Sequence, residues 1–348
     1  MNLLVQSDRI LDNFRILQKQ AGRTPLLPLL EANAYGFGDA ETARLLAGEG
    51  VGALAVSRLE EGIRVAEAVR GVDILLMTPY AGEEDCLTIL KYGLIAAVGS
   101  NDSAVLLSSL GRQHRMRVRI QLCFDFGMGR FGFEPQEAAK AAQTIKHLEN
   151  VELCGVFTVL PSGDCGKARR QKQVRDFRRV LAALEREGLK PGITHMADVQ
   201  QAAESPEMAC GAVRVGPDLF GRGPQKDHRG LKRVGRAVSE VCDLKWLTPG
   251  CTAGDDGRCR IRRATRVAVV PAGLADGLFT DLPEEKGFLF FRRRRWCDIG
   301  GKKAAVIGRV GLTALTVDVT DIDCAPGDIV SFEADPVGIS AFIPRDYV

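Results

Sequence analysis

The sequence predicts an α/β protein in which an N-terminal (β/α)8 barrel of the TIM type is followed by a C-terminal antiparallel β domain. Two observations predict this fold. Short apolar runs alternate with longer segments of helical spacing over the first two thirds of the chain, and beyond about residue 235 short strands separated by turn signals replace them. At 348 residues the chain is long enough for two domains. We place the barrel in residues 1–234 and the β domain in residues 235–348.

Eight apolar runs supply the predicted barrel strands. They lack strict alternation of apolar and polar residues, which is typical of strands covered on both faces. The predicted strands are 26–32, 53–57, 73–78, 94–99, 118–123, 152–159, 192–197 and 212–216. The predicted helices between them are 39–48, 58–70, 83–93, 101–114, 135–148 and 173–188. A repeated strand-then-helix unit of this kind predicts a closed parallel barrel.

The segment after residue 235 has a different pattern. Apolar and polar residues alternate, no strong helical spacing is present, and turn signals recur, such as TPG at 248–250, GDDG at 254–257 and APGD at 325–328. Alternation with frequent turns predicts antiparallel strands joined by hairpins. We therefore expect an antiparallel β domain here.

Composition narrows the functional classes. The net charge of +3 is small for this length and gives no support for nucleic-acid binding. No apolar run is long enough to cross a membrane, and the N-terminus lacks the pattern of a secretory leader. None of the ten cysteines stands in C-x-x-C spacing, so we predict no metal site and reduced thiols. We expect a cytoplasmic protein.

Several motifs along the chain resemble those of one enzyme family. The segment EANAYGFG at 31–38 is similar to KANAYGHG of the alanine racemases, and it is followed in order by FGMGRFG at 126–132, HMAD at 195–198, RVGPDLFG at 214–221 and PAGLADG at 271–277. The chain is thereby identified as a divergent member of the alanine racemase family, which belongs to the fold-type III enzymes. The resemblance implies a barrel that carries pyridoxal phosphate, a C-terminal β domain and a dimer.

Two of the positions that carry the family's chemistry differ in this chain. The resemblance implies a lysine that forms an imine with the cofactor, but Glu31 stands there, and a carboxylate cannot form an imine. It also implies a tyrosine base from the partner subunit, and Leu274 stands at that position without a proton to exchange. On this reasoning no catalytic residue of the family is intact.

Other positions of the implied site are divided between changed and retained residues. Cys123 replaces a lysine that family members often carbamylate, and Asp198 lies near the place of the cofactor phosphate. We expect Glu31 to neutralise one of the family's two arginines as a buried ion pair. At the remaining candidate ligand-pocket positions the chain has the residues that the resemblance implies, which are Tyr35, Arg130, His195, Arg214 and Gly216.

These replacements predict a pseudoenzyme that has lost pyridoxal phosphate catalysis, needs no cofactor, and binds a partner or a small ligand in the barrel mouth. One alternative is an enzyme with lysine-independent chemistry that uses Glu31, Tyr35, Cys123, Arg130 and Asp198. Another is a residual amino-acid racemase with a replacement lysine, Lys167 or Lys172.

We expect a homodimer, or a heteromer with a related chain, and no membrane partner. The basic run at 292–295 is interpreted as a solvated strand or turn.

Overall fold

The computed structural model describes residues 1–161, 166–222, 230–279, 295–333 and 335–348. The chain divides into two compact units. One is Arg9–Arg233, and the other joins Met1–Asp8 to Val234–Val348. The N-terminal eight residues therefore belong to the same unit as the C-terminal third of the chain.

The first unit is the predicted barrel. Its strands are β2 (Leu26–Pro28), β3 (Ala53–Val56), β4 (Asp73–Leu76), β5 (Ile95–Val98), β6 (Val118–Asp125), β7 (Val151–Val159), β8 (Ile193–His195) and β9 (Val213–Val215). Strands β3 to β8 form a parallel sheet in sequence order, and β2 pairs in parallel with β9. Single parallel bridges, Leu29 to Ala55 and Asp198 to Arg214, join these two sheets. The eight strands therefore close into a ring, and the prediction of a (β/α)8 barrel is confirmed.

Helices follow most of these strands. Their bounds are α1 (Ser7–Ala21), α2 (Glu31–Tyr35), α3 (Asp39–Gly48), α4 (Leu59–Ala68), α5 (Glu83–Tyr92), α6 (Asn101–Gln113), α7 (Ala138–Lys146), α8 (Gly166–Arg186) and α9 (Val199–Glu204). Short 3-10 turns lie at Pro135–Glu137, Pro206–Met208, Pro217–Phe220 and Leu274–Asp276. Neither α1 nor the strand before it is among the elements predicted from the sequence.

The interior of the barrel is filled with apolar side chains contributed by different strands. Leu27, Ala55, Leu75, Cys123 and Phe157 are all buried in one cluster. This is the packing expected of a barrel that has a solid core rather than a pore. Functional side chains are therefore expected at the rim, where the strands end.

The second unit is an antiparallel β domain, as predicted. Its strands are β1 (Asn2–Val5), β10 (Gly235–Glu240), β11 (Asp243–Leu247), β12 (Thr252–Ala253), β13 (Cys259–Arg260), β14 (Thr265–Val270), β15 (Trp296–Ile299), β16 (Lys302–Ile307), β17 (Leu315–Asp318), β18 (Ile329–Phe332) and β19 (Arg345–Tyr347). Nine of them form one sheet in the order β11-β14-β17-β16-β15-β18-β10-β1-β19. Strand β1 pairs antiparallel with β10 and parallel with β19, which explains why the N-terminus belongs to this unit.

None of the helices in the described part of the chain is both long enough and apolar enough to cross a membrane. The basic run at 292–295 lies outside the described residues except for Arg295, which packs its guanidinium 5.9 Å from the centre of the Phe279 ring.

Candidate active site

The candidate residues of the barrel lie where its strands end. Glu31 and Tyr35 follow β2, Cys123 lies near the end of β6, His195 ends β8, and Arg214 lies in β9. The carboxyl ends of parallel barrel strands meet at one face, which is where barrel enzymes place their chemistry. Leu274 lies in the C-terminal unit, in a 3-10 turn between β14 and β15.

The segment that carries Glu31 has an unusual backbone. The predicted first strand is too long: β2 ends at Pro28, and Ala32, Asn33, Ala34 and Tyr35 all have φ between 51° and 57°. Four consecutive non-glycine residues in the left-handed region are strained, since each places its Cβ close to a carbonyl oxygen. The left-handed turn at 32–35 ends at Gly36, and its backbone directs the Tyr35 side chain back toward Glu31.

The Glu31 carboxylate is held by two hydroxyl groups. The Tyr35 hydroxyl donates to Oε1 at 3.0 Å, and the Ser57 hydroxyl, just after β3, donates to Oε2 at 2.8 Å. Burial and the neighbouring Glu31 carboxylate raise the pKa of Tyr35, so its phenol keeps the proton that it donates. The prediction that Glu31 forms an ion pair with one of the arginines is wrong, because within the described residues its carboxylate bonds to these neutral hydroxyls instead.

Gly216 permits the close approach of the Tyr35 ring. A Cβ at position 216 would overlap the Tyr35 hydroxyl group, so only glycine leaves this hydroxyl in its place. Gly216 follows β9, and Pro217–Phe220 continues from it as a 3-10 turn. The Tyr35 ring also lies against Phe220, with ring centres 5.9 Å apart.

Arg214 lies fully buried beneath this group and contacts neutral partners. One terminal nitrogen donates to His195 Nδ1 at 2.9 Å, and the other donates to the Met196 carbonyl at 3.1 Å. Burial lowers the pKa of Arg214 to about 10, partly opposed by the Asp198 and Glu31 carboxylates, so the guanidinium is charged at neutral pH.

His195 connects Arg214 to the barrel interior. Because Arg214 donates to Nδ1, the ring carries its proton on Nε2, which lies 2.9 Å from Gln121 Oε1 and donates to it. Burial and the Arg214 charge both lower the pKa of His195 well below its ordinary value, so the ring is neutral. It stacks on Phe157 with ring centres 5.0 Å apart.

Cys123, Asp198 and Arg130 have different surroundings. Burial raises the pKa of the Cys123 thiol to about 12, so it is not a thiolate at neutral pH. Asp198 caps α9 by accepting hydrogen bonds from the backbone N–H groups of Gln200 and Gln201. Arg130 is exposed, and its guanidinium lies 5.3 Å from the centre of the Phe131 ring. Cys123 and Arg130 line the same small surface cavity.

Sequence reasoning missed two residues of this site. Ser57 holds Glu31, and Gln121 holds His195. A signal for Gln121 was available, because it is a polar residue inside the apolar strand Val118–Asp125.

Of the two candidate replacement lysines, Lys172 is exposed and pairs with Asp176, and the side chain of Lys167 lies outside the described residues. Among the described residues, no three His, Cys, Asp or Glu side chains are grouped to hold a metal ion.

The closed barrel, the antiparallel β domain and the cluster of polar side chains at the strand ends define the class of fold-type III enzymes. The chain belongs to the alanine racemase family. The family model for the alanine racemase N-terminal domain matches residues 5–224, and the model for the C-terminal domain matches residues 234–338.

Relatives and solved structures agree with this assignment. An alanine racemase of Carboxydothermus hydrogenoformans is 30% identical over 331 residues, which cover 93% of this chain and 87% of the relative. An alanine racemase of Geobacter sulfurreducens is 31% identical, and the match covers 85% of this chain and 77% of the relative. The solved alanine racemase of Clostridium difficile has a TM-score of 0.89 at 25% identity and covers 100% of this chain and 95% of its own.

These findings contradict three predictions made from the sequence. The relatives of this chain are named as enzymes, which overturns the prediction of a pseudoenzyme and of lost catalysis. The family models and the relatives named alanine racemase, together with a solved alanine racemase of Bartonella henselae that has covalently bound pyridoxal phosphate, overturn the expectation that this chain needs no cofactor. Glu31 and Leu274 nonetheless occupy the two positions where the family resemblance implies lysine and tyrosine.

The described residues do not fit a pyridoxal phosphate attached at position 31. Glu31 has no amine, and its carboxylate already accepts a hydrogen bond from the Tyr35 hydroxyl. The first backbone N–H groups of α9 are occupied by the Asp198 carboxylate rather than open to a phosphate. A mechanism for this chain therefore starts from its own side chains.

Proposed function

We propose that this chain is an enzyme that exchanges the α-proton of a small amino acid and so interconverts its enantiomers. The relatives that are named alanine racemase support this reaction class. The observation that carries the proposal is the Glu31 carboxylate, which two hydroxyl groups hold at the strand ends of the barrel. Glu31 is the group that we assign to proton transfer.

The hydrogen bonds of Glu31 leave capacity for a proton. Each carboxylate oxygen accepts one hydrogen bond, and a carboxylate offers about four lone-pair sites. One site on each oxygen therefore remains for the α-proton. The Tyr35 hydroxyl keeps donating through the cycle because the pKa of its phenol is raised.

The charges at the rim suit the carboxylate of an amino acid. Arg130 is exposed on the cavity, and the buried Arg214 adds a positive charge whose hydrogen-bond partners are neutral. A guanidinium binds a carboxylate through two parallel hydrogen bonds. When Glu31 removes the α-proton, the electron pair of the C–H bond delocalises into the substrate carboxylate, and nearby guanidinium charge stabilises it. A water molecule then protonates the opposite face to give the enantiomer, and the hydroxide that it leaves takes up the proton held by Glu31.

The test is the interconversion of L-alanine and D-alanine, followed by chiral chromatography with and without added pyridoxal phosphate. Glu31→Gln keeps the shape of the side chain but removes its basicity, so we expect the rate to fall by about 100-fold to 10,000-fold. Glu41→Gln, at an exposed glutamate of α3, is the matched control and should leave the rate unchanged. A Glu31→Gln variant that stays within twofold of the wild type would contradict the proposal, as would a wild type that interconverts the enantiomers of neither alanine nor aspartate in either condition.

We further propose that the protein works as a homodimer in the cytoplasm. The nine cysteines that the structure describes are free thiols, which supports a reducing compartment. Two large apolar side chains of the C-terminal unit, Leu312 and Phe342, are 68% and 96% exposed, and such exposure supports a partner that covers them. A second copy of this chain is the partner that we propose.

A further inference from the structure

The loop between β6 and the Pro135–Glu137 turn forms a cationic part of the barrel rim. It folds around Asp125, whose Oδ1 accepts the N–H groups of Gly127 and Met128 and whose Oδ2 accepts that of Arg130. Although burial raises the pKa of Asp125, these backbone hydrogen bonds lower it below its ordinary value. The Asp125 charge is thus bound to the loop backbone, and the Arg130 guanidinium has no acidic partner among the described residues.

A stripe of α8 packs on this loop and fixes a second arginine there. The stripe consists of Arg169, Gln173 and Phe177, which are four residues apart and so share one face of the helix. Phe177 contacts Phe126 edge-on at 6.0 Å, and the Gln173 amide donates to the Phe126 carbonyl at 3.5 Å. At the start of the stripe, Arg169 Nη2 would lie 3.4 Å from a Cβ on Gly127. The packed residues thus hold the Arg169 guanidinium over the rim loop.

The charges around Arg169 are not neutralised locally. Its neighbours on the helix, Arg170 and Lys172, pair with Glu204 and Asp176, but Arg169 is exposed and has no acidic partner in the described part of the chain. The α8 sequence carries eight basic and two acidic residues, whereas the net charge of the whole chain is only +3. Positive charge is therefore concentrated on the helix that borders the rim.

We infer that the substrate is an amino acid with an acidic side chain, whose second anionic group, a carboxylate or a phosphate, is bound by Arg169 beside Arg130. The inference rests on the proposed function and specifies its substrate class. The α-carboxylate and the side-chain anion each require a guanidinium, and the rim presents two, Arg130 on the loop and Arg169 from α8 above Gly127. A neutral side chain, as in alanine, uses only one of them.

Isothermal titration calorimetry tests this inference independently of catalysis. The probes are L-aspartate, O-phospho-L-serine and L-alanine, titrated into the full-length chain. We expect at least one acidic probe to bind more tightly than alanine, and Arg169→Gln to weaken that binding by about 10-fold to 100-fold while leaving alanine unchanged. The aspartate and phosphoserine titrations distinguish a carboxylate from a phosphate as the preferred group.

Arg175→Gln is the matched control, because Arg175 is exposed on the same helix but outside the stripe, and Arg169→Lys should restore part of the affinity. Equal affinity for acidic and neutral probes, or an acidic probe that binds Arg169→Gln as well as the wild type, would overturn the inference. Failure of the proposed function looks different: the acidic probe would still bind through Arg169, but its enantiomers would not interconvert.

Discussion

The imidazole of His195 is held in one protonation state by its surroundings. Its Nδ1 accepts a hydrogen bond from Arg214 and its Nε2 donates one to Gln121. A second proton, on Nδ1, would therefore point at the Arg214 guanidinium. Burial adds to this effect, and both lower the pKa of His195. The neutral ring is therefore a requirement of the folded barrel.

This requirement predicts a loss of stability in mild acid. Below about pH 6.5 the unfolded chain binds a proton on His195 that the folded chain excludes, so the free energy of unfolding falls as the pH falls. The slope that His195 adds approaches about 1.4 kcal/mol per pH unit. Urea unfolding between pH 7 and pH 5 should show this slope, and His195→Gln should lack it. His147→Gln, at an exposed histidine, is the control. A His195→Gln slope equal to that of the wild type would refute the assignment.

Individual site residues were only partly predictable from the sequence. The sequence motifs identified Tyr35, His195, Arg214 and Gly216 as candidate pocket residues, and in the structure these residues lie together at the strand ends. The partners of Glu31 were not predictable, because Ser57 is 26 residues distant in sequence and is brought near by the single parallel bridge between Leu29 and Ala55. The expected ion pair of Glu31 is therefore replaced by hydrogen bonds from the Tyr35 and Ser57 hydroxyl groups.

At the scale of elements, the left-handed turn at 32–35 is the clearest departure from sequence expectation. The apolar run 26–32 predicted strand through Ala32, but β2 ends at Pro28 and the chain turns so that Tyr35 meets Glu31. Sequence propensity does not show such a turn, because alanine favours the right-handed helix. By contrast, all eight barrel strands were predicted within a few residues, since their apolar runs reflect burial on both faces.

The strain of this turn predicts an unusual effect of glycine. Ala32 is exposed at φ 53°, so Ala32→Gly relieves the left-handed strain and should stabilise the fold by about 0.5–1 kcal/mol after the entropy cost of glycine. Ala182→Gly, at an exposed position in the right-handed helix α8, should destabilise it by about 1 kcal/mol. Thermal unfolding of both variants gives the comparison. Destabilisation of Ala32→Gly by the same amount as Ala182→Gly would contradict the strained turn.

For the whole molecule, the sequence predicted two domains of the right fold class but not the place of the N-terminus. Strand β1 inserts between β10 and β19, so the first eight residues complete the C-terminal sheet. This pairing joins residues more than 200 positions apart in the sequence, and no local pattern indicates it. The two ends of the chain are therefore needed together for the C-terminal unit.

The exposed apolar side chains of the C-terminal unit lead to a prediction about assembly. Light scattering coupled to size exclusion should give a mass near twice 37.7 kDa. The double variant Leu312→Ser, Phe342→Ser should shift the protein toward the monomer because it removes two exposed apolar side chains that we assign to the proposed dimer contact. Trp246→Ser, at a 61% exposed side chain on the sheet edge β11, is the control. A wild type that elutes as a monomer would contradict the proposed dimer.

The most direct test of the account is deuterium exchange at the α-carbon, which isolates proton transfer by Glu31 from the stereochemical outcome. L-Alanine and L-aspartate are incubated with the protein in D2O, and the loss of the α-proton signal is followed by NMR. We predict that the wild type exchanges the α-proton of at least one of them, and that Glu31→Gln exchanges it at least about 100-fold more slowly. Exchange that is equal in Glu31→Gln and the wild type, or absent from both, would contradict the assignment of Glu31 as the proton-transfer group.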